Sequence, residues 1–214
     1  MSKMAKWCVL PATVLLLGSA ALGQDPSSTG SPNGGSSPAS STAPKPPTVA
    51  ERKENQQDRI ANGVKSGQLT AGETASLESK EAAINGETRA DRAANGGKLT
   101  SAEKQQINRQ QNQLSKQIYQ DKHNANTAHY GNNEVGQRRE NQQDRIAQGV
   151  KSGQLTAGET AHLEKNQARI NNEVRSDRAA NGGKLTQQER AQVNRQQNRV
   201  SKQIYRDKHN GRHQ

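Results

Sequence analysis

From residue 51 onward, large apolar side chains come singly and at helical spacing among long polar runs. Ile60 and Val64 stand one turn apart, Leu77 and Ile84 a heptad apart, and Ile107, Leu114 and Ile118 share one stripe. This spacing predicts helices over 51–65, 71–95 and 101–122. Between them stand Gly67-Gln68-Leu69-Thr70-Ala71-Gly72-Glu73 and Gly97-Lys98-Leu99-Thr100-Ser101-Ala102-Glu103. In each string the Gly suits the left-handed residue that ends one helix, and Thr-x-x-Glu is the capping box that starts the next. Asn85-Gly86 leaves open whether the middle helix is continuous or broken in two.

The pattern then repeats. Shifted by 86 residues, Glu54–Asn124 falls on Glu140–Asn210 with 17 differences in 71 positions. The expected architecture is all-α: two tandem, slim helix–turn–helix units of about three helices each, at 51–127 and 137–214, with a joint at 128–136. Major apolar positions change conservatively, Ile107 to Val193 and Leu114 to Val200. Ser79, Lys80 and Glu81 become Lys165, Asn166 and Gln167, which reads as an exposed face. Ile60, Val64, Leu69, Leu77, Ile84, Leu99, Ile107, Leu114, Ile118 and Tyr119 are the expected core of the first unit. So thin a core requires that caps, i,i+4 pairs and packed Ala contribute, or that the two units pack together or oligomerise.

The first fifty residues have a different texture. Lys3 and Lys6 precede an apolar stretch from Trp7 to Leu22, and Ala21-Leu22-Gly23 supplies small residues for cleavage after Gly23. That order predicts a secretory signal peptide over 1–23 and an exported protein, periplasmic or extracellular. Residues 24–50 are rich in Pro, Ser, Gly and Thr and are expected to form a disordered linker. Trp7, Cys8 and both Met lie within the first eight residues, and there is no Phe. The helical part therefore has no Cys for disulfides or metal ligation, and too little core for a large enzyme.

The net charge of +11 is unevenly spread. Unit one carries 12 basic and 10 acidic residues, and unit two 16 and 8. Much of the excess is Arg195, Arg199, Lys202 and Arg206, at i, i+4, i+7 and i+11 of the last helix, roughly opposite Val193, Val200 and Ile204. Their counterparts are Arg109, Gln113, Lys116 and Gln120, half the charge. A basic face backed by an apolar one suits an anionic envelope polymer or a membrane surface. Nucleic acid fits less well, because only Tyr119, Tyr130 and Tyr205 are available to stack on bases.

Asn62 to Glu73 resembles an EF-hand loop, with Gly67, Leu69 and Glu73 where a calcium loop places Gly, an apolar residue and Glu. The ligand half departs from that pattern, since Val64 offers no side-chain oxygen. Divalent-cation binding is therefore an alternative function, and no metal ligand is assigned. The chain as a whole resembles uncharacterised secreted bacterial tandem-repeat proteins that carry Gly-x-Leu-Thr-x-x-Glu and Ser-Lys-Gln-Ile-Tyr-x-Asp-Lys-His-Asn strings. Here the second string is Ser115–Asn124 and Ser201–Asn210. The resemblance implies export and a helical fold and transfers no catalytic residue. His123 and His209, at the ends of the third helices, are expected to complement helix carbonyls. No nucleophile motif, phosphate loop or cofactor motif occurs, so the expected role is non-enzymatic binding or structural work.

Overall fold

The computed structural model describes residues 45–214, and all its regular structure is helical. The expected signal peptide and the linker up to residue 44 lie outside the described residues. Six helices follow in order: α1 (Val49–Lys65), α2 (Ala71–Ala94), α3 (Ser101–Lys122), α4 (Glu134–Lys151), α5 (Ala157–Ala180) and α6 (Gln187–Lys208). The middle helices run unbroken through Asn85-Gly86 and Asn171-Asn172. None of the described helices is long and apolar enough to cross a membrane.

Local signals set the helix ends. Thr70, Thr100, Thr156 and Thr186 form full capping boxes with Glu73, Glu103, Glu159 and Glu189. A fifth box, Thr48 with Glu51, starts α1 inside the last residues of the expected linker. Helix α4 starts inside the expected joint, where the Asn133 side chain accepts from Gly136 N–H at 3.1 Å. After α1 the chain turns through Gly67 at φ 71°, and the Leu69 N–H returns to the Gly63 carbonyl at 3.0 Å. That turn drives the Leu69 side chain onto the backbone of Gly63. A Cβ there would stand 2.7 Å from both Leu69 Cγ and Cδ1, and Gly149 repeats the contact with Leu155.

Within each repeat the first two helices pack against the third, α1 and α2 on α3, α4 and α5 on α6. The repeats then dock on one another, α1 on α4 and α2 on α5, while α3 and α6 stay apart on the outside. Both belong to one compact unit. Each helix pairs with its own counterpart, so the two halves are related by a pseudo-twofold axis. Ala61 of α1 accordingly packs into the second repeat's core with Ile146 and Val150, and Ala147 of α4 packs into the first with Ile60 and Val64.

Two expectations need correction. Tyr119 is not in the core: it is 60% exposed and stacks on His123. The face assigned to the surface by the changes at 79–81 is only partly outside. Lys80 and Lys165 are exposed, but Glu81 and Gln167 have no exposed surface, because they turn inward onto the other helices of their own repeat, where Gln167 donates to Gln142. The other nine expected core residues lie in the first repeat's apolar cluster or against it.

Candidate anion-binding surface

Helix α6 sorts its residues by angle. Val193, Val200 and Ile204 are buried, with Gln197 between them donating to the Val135 carbonyl at 2.9 Å. Arg195, Arg199, Lys202 and Arg206 are all exposed. At 100° per residue they fall within about 60° of arc on the outer side of the helix. Arg206 Nε lies 3.8 Å from Asp207 Oδ1, the one ion pair that touches this face among the described residues. Burial holds the Asp207 carboxyl above its ordinary range, and the nearby Glu159 charge adds to the effect. Beside the cations, Tyr205 is 63% exposed and stacks on His209 at 4.3 Å between ring centres. The counterparts Arg109, Gln113, Lys116 and Gln120 are likewise exposed on α3.

The recurring sequence strings turn out to be bound to each other. Glu73 Oε2 accepts from the Thr70 N–H and hydroxyl at 2.9 and 2.7 Å, while Oε1 accepts from Asn124 and Asn126 at 2.8 and 3.1 Å. These bonds hold the Glu73 carboxyl below its usual range despite the opposing effect of burial. The second repeat reproduces the tie, with Asn210 donating to Glu159 at 2.7 Å. Both oxygens of the loop's would-be calcium ligand are thus engaged by the cap and by the end of the third helix. Among the described residues no cluster of three or more His, Cys, Asp or Glu side chains has metal-binding geometry. His123 and His209 cap α3 and α6, each Nδ1 within 2.7 Å of a carbonyl one turn back. Ser115 and Ser201 accept from Gln56 and Gln142 at 2.8 and 2.7 Å.

Sequence reading missed a second polar set, which is buried. Gln57 donates to Glu78 at 3.0 Å and Gln143 to Glu164 at 2.9 Å, near the pseudo-twofold axis. Burial pushes the Glu78 and Glu164 carboxyls up to about 8, against the lowering effect of these bonds. Glu81 is pushed by burial up to about 7, opposed by the field of Lys53. The signal was present in the helical spacing. Gln56 and Gln57 lie on the Ile60–Val64 stripe, and Glu78 and Glu81 on the Leu77–Ile84 stripe, so hydropathy hid what periodicity placed inside.

Compared with protein-family models, with curated proteins and with solved structures, the chain matches none of them.

Proposed function

We propose that this chain is an exported, non-enzymatic binding or structural protein of the cell envelope, with the outer side of α6 as its contact for anionic polymers or surfaces. The observation that carries this reading is the placement of Arg195, Arg199, Lys202 and Arg206, all exposed on one side of a helix whose other side is anchored in the core. Clustered cations raise the local concentration of an anionic partner, and such an attraction is screened by salt over about 8–10 Å at physiological ionic strength. A thin core with polar side chains along its centre also favours a scaffold over a walled catalytic pocket. The engagement of Glu73 and Glu159 in capping favours a structural role for the loops over the calcium alternative.

The test is a pull-down of the mature protein on envelope fractions at low and high salt, compared with a variant carrying Glu at positions 195, 199, 202 and 206. Retention that falls at least tenfold in high salt and in the variant supports the reading. Equal retention of the variant overturns it. Tyr205, exposed beside the cations, favours nucleic acid as the second reading. A gel shift insensitive to the same charge reversal eliminates this face as a nucleic-acid site.

A further inference from the structure

On one side of the junction between the repeats lies a cleft of about 620 Å³, within the size range of small-molecule sites. Its walls are the first turns of α1 and α5, the second half of α2 and the C-terminal segment. The charged side chains lining it are Lys53, Arg89, Arg92 and Arg212, and no carboxylate is among them. Arg212 lies 3.8 Å from Glu159, outside the cleft, whereas Arg89 and Arg92 make no ion pair among the described residues. Gathering these cations around one concavity focuses positive potential into it.

The internal repeat supplies an independent comparison. At the pseudo-twofold counterpart of this place the cations are Arg139, Arg175 and Arg178, and Arg139 is covered by the Tyr130 ring at 5.3 Å. Burial lowers the Arg139 pKa, with the Arg178 and Arg175 charges adding to the effect. The residues there equivalent to Arg212 and His213 are Asn126 and Thr127. Divergence of the two copies has therefore brought two basic-type side chains to one cleft and a tyrosine cover to the other. The segment bearing Arg212 and His213 is also held in place. The Gln214 N–H donates to Gly153 at 3.2 Å, and its side chain donates to Leu155 in the second repeat and to Gln57 in the first at 2.8 and 2.9 Å.

We propose that this cleft binds a small soluble molecule bearing a diphosphate. The phosphates sit between the guanidinium groups of Arg89, Arg92 and Arg212, and the organic part lies against Val49 and Ala157. Guanidinium forks match phosphate oxygens in pairs, and neighbouring Arg side chains reward a ligand with two adjacent phosphates over a single monoanion. The site is separate from the outer side of α6, so either can fail without the other.

The experiment is calorimetric titration of the full chain with inorganic pyrophosphate and with ADP at physiological salt. One site per chain is expected for both. The double variant Arg89→Ala/Arg92→Ala should lose at least tenfold in affinity at unchanged Tm, since both side chains are exposed. Lys98→Ala/Lys104→Ala, at exposed cations outside both the cleft and the α6 face, should bind as the parent does. No heat from either probe, or undiminished affinity in the Arg89/Arg92 variant, overturns the proposal. Capture by phosphatidic-acid vesicles without binding of the soluble probes also overturns it, in favour of a lipid headgroup.

Discussion

Glu81 and Gln167 hold the same place in two copies of one helix and differ only in whether the side chain can carry charge. Gln167 donates to Gln142 at 2.9 Å, while neither oxygen of Glu81 nor the corresponding Gln56 Oε1 has a partner. Protonated, Glu81 becomes a donor as Gln167 is; ionised, it is a buried charge offset only by Lys53 and the nearby Asn85 side chain. Glu81→Gln should therefore raise stability by about 1–3 kcal/mol above neutral pH, with little change at pH 5. Thermal melts at the two pH values check this. At Gly63 the limit is space. Gly63→Ala gains helix propensity of about 1 kcal/mol but sets a methyl against a buried Leu69 that has nowhere to retreat. The expected net loss is about 1–2 kcal/mol, readable from the urea midpoint.

Helix existence, type and inner ends were legible in the sequence because each of the four boundaries inside the repeats is written twice, as a glycine stop and a capping box. The caps Thr48 and Asn133 were less legible. The first lies in Pro-rich surroundings, and the second has no Glu three residues on. Interior membership was harder to read, since it depends on a partner helix more than on hydropathy. Glu78 looks like a solvated residue until α5 is set against α2. Tyr119 looks like core until the stripe of Ile107, Leu114 and Ile118 is seen to fill the interior without it. The basic face on α6 was fully legible, because exposure there follows from the helix angle alone. The tie between Glu73 and Asn124 was not, as 51 residues separate them. It gives a graded prediction. Glu73→Ala, which loses a cap and the hold on Asn124 and Asn126, should cost about 2 kcal/mol. Glu103→Ala, which loses a cap and an exposed bond to the nearby Asn95, should cost about 1 kcal/mol. Chemical denaturation of the pair distinguishes them.

Across the whole molecule the buried acids make docking of the repeats sensitive to alkali. Their folded pKa values lie above the unfolded value, so the folded state holds its protons more tightly. The resulting stability is complete below about pH 4.5 and is lost as pH rises through about 7 and 8. Opposing this at the acid end, Glu73 and Glu159 have lowered pKa values, and their contribution fades as pH falls below the ordinary carboxylate range. Tm should therefore pass through a maximum on the acid side of neutrality and fall between pH 6 and 9. The variant Glu78→Gln/Glu164→Gln should flatten the alkaline limb; an equal fall in that variant would locate the sensitivity elsewhere.

The exchange of Ala61 and Ala147 between cores bears on molecularity. A half whose interior includes a side chain from the other half is complete only as a pair. The peptide joint therefore turns what would be a second-order assembly into a first-order one. Proteolytic cutting between 128 and 133 should leave the six helices in place at high protein concentration. Dilution should then separate the halves, and the melting temperature should become concentration-dependent where the intact chain shows no such dependence.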